Sequence, residues 1–447
     1  MIHRSPASRR GARRVRLLGA IATAGALATS LVGCSSGSGS PTVDAKAKVT
    51  LTWWTGQADQ AETILEKLAK QYEQAHPNVT ITISSGAPST EELLQKLSAG
   101  FAGGRYPDIS YAFGSWSSQL EASGRTLDIT KQVAAKSTDW AGFSGAARGT
   151  AQPTGTKTIG FPAVVDNLAL LYDKTLFDKA HIAYPTDRWT WDDFRAAAKK
   201  LTNSATNTYG YGYSVSGSEE TTWQFWPHLW QNGGEVLSAD GKKAAFDSQA
   251  GIDALTFLRD MAVTDKSVYL DQTDTKFGQL FTGGHIGMIT SGPWELYDLK
   301  TAKTNYGVVQ LPGTNGDHET VSGPDVWTLF DHKDANRAYW AYQFTKWLTD
   351  PKQDIAWNVA YGNLPLRATE TTSPEFQAQV TALPGLDVMA ANTSNAKHTR
   401  PTVPAYNKVS EAIGSAISRV LQGQGTPAAA LKAAAQKADS ALAGNGP

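Results

Sequence analysis

A chain of 447 residues with 14 tryptophans and only 18% charged residues is too long for one small core; at about 150 residues per domain it calls for two or more lobes. Its 41 basic and 41 acidic side chains cancel, but Arg4, Arg9, Arg10, Arg13, Arg14 and Arg16 crowd the first sixteen positions, where there is no acid. Beyond residue 33 the balance is 35 basic against 41 acidic, and such a mildly acidic body excludes nucleic acid as the main partner and broad electrostatic binding to an anionic membrane. One cysteine excludes a disulfide framework and a four-thiolate zinc site.

After the arginines comes an apolar stretch, Leu17 to Val32, followed by Gly33-Cys34. A positive leader, a short apolar segment and small residues before a cut form the pattern of a secretory signal rather than of a full membrane span. The ending Leu31-Val32-Gly33-Cys34 resembles a bacterial lipobox, which makes residues 1–33 the expected signal peptide and Cys34 the expected site of lipid attachment. Ser, Gly and Pro from Ser35 to Pro41 suit a flexible tether over 34–47. Arg13-Arg14 leaves both the general and the twin-arginine export routes open.

Farther on, strands and helices alternate. Val49–Trp54 reads as a strand, and Ile64, Leu65, Leu68 and Tyr72 then recur at helical spacing up to Pro77. Val79–Ile83 alternates as a second strand, Thr90-Glu91-Glu92 opens a helix carrying Leu93, Leu97 and Phe101, and Asp108–Ala112 reads as a third strand. This order predicts a parallel sheet whose ligand would lie beyond the strand ends, at the loops Thr55–Gln57 and Phe113–Trp116. Thr190 with Asp193 predicts a capping box before a helix reaching Leu201. Further helices are expected at Gln249–Met261, Ala335–Thr349, Tyr406–Leu421 and Ala428–Ala443.

Searches for catalytic patterns return little. No two of the eight histidines stand at His-x-x-x-His spacing, and no Walker loop occurs. Gly33–Gly37 fits a nucleophile elbow but lies in the tether, and Gly423–Ala428 mimics a dinucleotide fingerprint without its preceding strand. No catalytic residue, metal ligand or cofactor is therefore assigned. A secreted carbohydrate-active hydrolase stays open as the alternative, because its two carboxylates need only meet in space.

The aromatic residues say more. A sugar ring offers a face of C–H groups edged with hydroxyls, so its site needs flat aromatic platforms rimmed by carboxylates, amides or Arg. Trp54, Trp116, Trp223 and Trp294 stand in polar or turn-rich settings that suit such platforms. Trp53, Trp189, Trp230, Trp340 and Trp347 lie inside strand or helix patterns and are expected to pack.

Several segments in order resemble the extracellular sugar-binding proteins of ABC importers, solute-binding family 1, the class that includes maltose-binding protein. They are Gly160-Phe161-Pro162 with Asp166-Asn167, Leu171–Lys174, Thr190–Phe194, Gln231–Gly234, Phe281 through Gly292-Pro293-Trp294, Leu311-Pro312-Gly313, Ala341 to Phe344 and Gly362–Pro365. The resemblance implies an α/β fold of the periplasmic-binding-protein type: two α/β lobes, interlobe crossings and a ligand cleft. It places lobe 1 at 48–163 and 308–350 and lobe 2 at 164–307 and 351–447, with crossings near Phe161–Val165, Val308–Gly313 and Asp350.

Carried over by position, Trp294 matches the family's stacking tryptophan, Trp223 an aromatic platform, and Asp166 an acid that accepts sugar hydroxyls. Ser115 and Trp116 fall in a ligand-contacting loop, although the Asp and Arg found there in maltose-binding protein are missing, and Gln57 sits where that protein has an acid. Trp54, Gly323, Asp325, Arg367 and Arg400 complete the candidates. The implied function is capture of a mono- or oligosaccharide and its delivery to ABC permease subunits, without bond making. The expected protein is a monomer on the outer face of the cytoplasmic membrane, in contact with it only through the lipid.

Overall fold

Three parallel strands start the body: β1 (Val49–Trp54), β2 (Val79–Ser84) and β3 (Ile109–Ala112), with helices Asp59–Ala75 and Thr90–Gly103 as the crossovers expected from the alternating pattern. The computed structural model describes residues 42–87 and 90–444; the signal segment and Cys34 lie outside them. The end of the segment read as a tether is held down, since Asp44 N donates to Asn336 Oδ1 at 2.7 Å and Asn78 Nδ2 donates to the carbonyls of Ala45 and Ala47 at 3.0 Å.

The first sheet has the order β2-β1-β3-β11-β4, in which β11 (Val326–Leu329) runs antiparallel to both of its neighbours, β3 and β4 (Gly160–Pro162). The second has the order β7-β6-β8-β5-β9, from β5 (Ala169–Asp173), β6 (Tyr209–Ser214), β7 (Val268–Asp271), β8 (Ile286–Ser291) and β9 (Tyr306–Val309). Both β5 and β8 are buried along their whole length, which is why they are mostly apolar and do not alternate with exposed polar residues. A short parallel pair, β10 (Val321–Ser322) and β12 (His398–Thr399), stands apart.

The chain passes between the sheets along strands that hydrogen-bond one another. Ala163 N donates to the Asp325 carbonyl at 2.7 Å, Asp325 N to Val164 at 2.9 Å and Leu364 N to Val165 at 3.1 Å. The second passage, expected near Val308–Gly313, completes only at Val321–Val326, because Gly313 N is tied to the Trp189 carbonyl at 2.8 Å and holds this stretch beside the second sheet. Past residue 350, Pro351–Val359 lies beside β1's helical layer, whereas Leu386–Asn392 rests on β9.

Local signals largely translate into local structure. Thr190 and Asp193 close the capping box in both directions, at 3.0 and 3.2 Å, before helix Trp191–Leu201. Helices Ala335–Leu348, Tyr406–Leu421 and Pro427–Leu442 stand within two residues of their expected bounds, while Gln249–Arg259 ends early in a π turn, Asp260–Thr264. Trp53 is fully buried with its ring centroid 5.2 Å from Trp327 and 5.1 Å from Phe344; Trp230 and Trp340 are buried, and Trp189 and Trp347 partly so. No described helix is long and apolar enough to cross a membrane.

Candidate ligand-binding site

The carboxyl ends of strands from both sheets converge on one cavity of about 290 Å³, near the small end of the range for small-molecule sites, roughly 300–1,000 Å³. Gln57 follows β1, and Tyr111 and Phe113 end β3. From the second sheet come Glu219, Glu220 and Trp223, on the helix after β6, and Trp294, after β8. The connecting strands supply Val164, Asp166, Asp325, Tyr361 and Asn363, and Arg400 follows β12. Ligand sites of open α/β sheets form at such strand ends because the loops there diverge and leave a crevice.

Two close approaches shape the walls. A Cβ on Gly323 would stand 2.5 Å from Trp223 Cη2 and 2.8 Å from an Arg400 nitrogen, so only glycine lets these side chains close over the connecting strand. Gly362, at φ +111°, turns the chain so that Asn363 enters the cavity, and a Cβ there would meet the Pro293 carbonyl at 2.5 Å.

The charged groups are unevenly matched. Asp325 accepts from the Tyr111 hydroxyl, from Gly114 N at 2.8 Å and from Arg400 at 3.2 Å. Glu219 accepts from Arg400 at 3.2 Å, the Tyr406 hydroxyl at 2.9 Å and Ser410 Oγ at 2.6 Å. Arg400 also lies 4.6 Å from the Trp223 ring centroid, and although burial works against its charge, Glu219 and Asp325 hold its pKa above the usual value. By contrast, the Asp166 carboxylate has one donor, Gly323 N at 3.2 Å, and its other oxygen has no partner among the described residues. Burial, followed by the neighbouring Asp325 charge, pushes Asp166 well above the ordinary carboxyl range. Burial raises Asp325 too, but its three donors make it the acid that carries the negative charge of the pair.

Asn363 is only 6% exposed, lines the cavity and has no side-chain partner among the described residues; Asp166 is 8% exposed. Trp223 Nε1 is likewise buried without a partner. A buried polar group left unpaired costs on the order of 1–3 kcal/mol, so these atoms mark a place where a polar molecule would satisfy them. Trp294, half-buried, adds an aromatic face, and Glu295 beside it accepts from Ser291 Oγ at 3.1 Å with burial pushing its pKa up to about 7.

Of the residues singled out in the sequence, Gln57, Asp166, Trp223, Trp294, Asp325 and Arg400 line this cavity, and Gly323 stands behind it. The others lie elsewhere. Trp54 is half-buried under Lys96, whose Nζ is 4.4 Å from its ring centroid. Ser115 is buried with its hydroxyl unpartnered, and Trp116 is buried against Phe113 and borders a neighbouring depression of about 510 Å³ that shares Phe113 and Glu219 with the cavity. Arg367 is locked among Thr349, Glu370 and Asp139, away from the cavity.

Sequence reasoning passed over Tyr111, Glu219, Glu220, Tyr361 and Asn363. The two glutamates open the helix Glu219–Trp223, where acids are ordinary, and Gly362–Pro365 is a matched segment whose part in the site depends on how the third passage bends. Gly362 was the available signal, since a glycine before a polar residue permits such a turn.

Comparison with known proteins puts this geometry in context. The family profile described as bacterial extracellular solute-binding protein matches residues 67–384. The sn-glycerol-3-phosphate-binding periplasmic protein UgpB of Agrobacterium fabrum is 24% identical over 424 residues, 90% of this chain and 94% of its own. The cyclic alpha-maltosyl-1,6-maltose binding protein of Arthrobacter globiformis superposes with a TM-score of 0.74 at 25% identity, covering 89% of this chain and 99% of that one. An ABC substrate-binding protein of Listeria monocytogenes, solved with cycloalternan, reaches 0.78 at 24% identity over 89% and 99%.

Proposed function

The chain belongs to the bacterial extracellular solute-binding proteins, the solute-capturing components of ABC transporters, and from that premise we propose that it captures a mono- or oligosaccharide in the cleft between two lobes and hands it to a membrane permease. The observation that carries the reading is the cavity itself. Two tryptophans border it, and Asp166 and Asn363 are buried in its wall with hydrogen-bonding atoms that no described residue satisfies. A sugar meets both needs, its C–H face against an indole and its hydroxyls against the carboxyl and the amide.

In this reading Trp294 and Trp223 stack on the ligand, Asp166, Asn363 and Gln57 bond its hydroxyls, and Asp325 with Arg400 holds the wall in place. Contacts from both sheets favour a closed state by differential affinity, which a permease then recognises. Ligand breakdown forms no part of it: Asp325 and Glu219 are each engaged by three donors rather than poised beside a scissile bond. We further propose that the protein is exported, anchored by a lipid on Cys34 and monomeric; replacing Cys34 by Ser should then release it into the medium.

A thermal-shift screen over mono-, di- and oligosaccharides tests the central claim, with a rise in melting temperature expected for an intact, unhydrolysed sugar. Trp294→Ala should weaken that sugar at least tenfold, about 1.4 kcal/mol, with the fold retained. Affinity left unchanged in calorimetry would remove Trp294 from the site, and reducing sugar released during incubation would favour the hydrolase alternative.

A further inference from the structure

We propose that this cleft selects its ligand by charge, admitting uncharged and amine-bearing sugars and refusing phosphorylated ones, because Glu219, Glu220 and Asp325 outnumber the single Arg400 in its wall. The proposal rests on the reading of the cavity as a carbohydrate site and narrows its substrate class.

A phosphate needs donors with charge to spare: a free Arg or Lys, or a row of open backbone N–H groups. Arg400 is the one cation among the described residues lining the cavity, and it is already bonded to Glu219 and to Asp325, each at 3.2 Å. Two carboxylates thus share one guanidinium. Glu220 lines the same space of about 290 Å³ and brings the charged acids there to three. Little solvent reaches this wall, so a further negative charge would meet repulsion that water does not screen.

Asp166 supplies no counter-charge. It lines the cavity as an acid whose pKa burial and the neighbouring Asp325 raise, and its second oxygen accepts no hydrogen bond from the described residues, so a sugar hydroxyl can exchange hydrogen bonds with it. An ammonium group suits the net negative charge of the wall; a phosphate, which carries nearly two negative charges at neutral pH, does not. The Agrobacterium relative is named for a phosphate ester, so the distinction divides the family rather than following from membership in it.

The test is calorimetry on the exported chain with D-glucose, D-galactose and D-mannose, each alongside its 6-phosphate and its 6-amino-6-deoxy derivative, together with sn-glycerol 3-phosphate. For a hexose that binds, the amino derivative should bind within tenfold of it or more tightly, and the 6-phosphate at least a hundredfold more weakly. Glu220→Gln should shrink the phosphate penalty at least tenfold; if that variant does not fold, Glu219→Gln, which also frees one side of Arg400, should shrink it in the same direction. A 6-phosphate bound within tenfold of its parent, tight binding of sn-glycerol 3-phosphate, or a penalty that neither variant relieves overturns the proposal while leaving solute capture standing. Silence from every sugar and derivative instead overturns the carbohydrate reading on which it rests.

Discussion

Two buried arginines, Arg400 and Arg367, stand in similar company and do different things. Each is at least 90% buried, each lies near an aromatic ring, and each is bonded to acids: Arg400 to Asp325 and Glu219, Arg367 to Glu370 and Asp139. Around Arg367 the cluster lies away from the cavity, even though Arg367 Nε, Glu370 Oε2 and Asn358 Oδ1 are buried without hydrogen-bond partners among the described residues. Its Nη1 also donates to the Thr349 carbonyl at 2.6 Å, and nearby Asp354 accepts from Asn358 at 2.9 Å and from Leu366 N at 2.9 Å. Around Arg400 the cluster has an open edge, where Asp166 and Asn363 reach the cavity with bonding capacity to spare. Buried charge is therefore a poor mark of a ligand site, and unspent hydrogen bonding at a cavity wall is a better one.

The largest effect should come from Arg367. Removing one partner of a buried ion pair costs about 3–5 kcal/mol, so Arg367→Met should lower the unfolding midpoint markedly while sugar affinity in the folded fraction stays the same. Arg400→Met should lower stability and also abolish binding, because Asp325 and Glu219 would be left uncompensated in the cavity wall; equal losses of affinity in both variants would erase the contrast between the clusters. A smaller change is expected at Asn363, whose side chain bonds nothing among the described residues. Asn363→Ala should cost about 1–3 kcal/mol of ligand binding and almost nothing in thermal unfolding of the free protein.

The smallest effect concerns pH. Glu295, beside Trp294, has a folded-state pKa of about 7 against an ordinary 4.5, so between those values the folded protein holds a proton that the unfolded chain has released. Stability from this group is present at low pH and is lost as the pH rises toward 7. Glu295→Gln should flatten that part of the stability profile, measured by denaturant unfolding from pH 4 to 8. Superimposable profiles for the two proteins would return Glu295 to an ordinary exposed acid.

Much of the fold could be read along the chain because its causes are local. The strand Val49–Trp54, its neighbours and the Thr190 capping box follow from side-chain alternation and from a hydroxyl that reaches the backbone N–H three residues on. Trp223 and Trp294 were legible because each stands beside residues that end or begin a helix, and Asp166 because it follows the first passage between sheets. Arg367 misled because an arginine in the loop that follows a helix carries no local sign of whether it faces solvent, a ligand or three other side chains. Trp54 misled for a related reason: in a strand its neighbour Trp53 takes the core, and which surface the alternate face meets depends on the helix above it, here the one carrying Lys96.

By itself, then, the sequence determined the acidic body behind a basic leader, the alternation of strands and helices, the family, and six of the side chains that line the cavity. Only the tertiary structure decided which arginine serves the cavity, that Asn363 joins it, and that Asp166 is the acid left short of donors. The reason is physical. Helix and strand signals act over a few residues, whereas Asp166, Asp325 and Arg400 are separated by as many as 234 positions and meet only where three connecting strands run side by side. Which of them ends up satisfied depends on how many donors the fold carries to each, and no stretch of chain records that count.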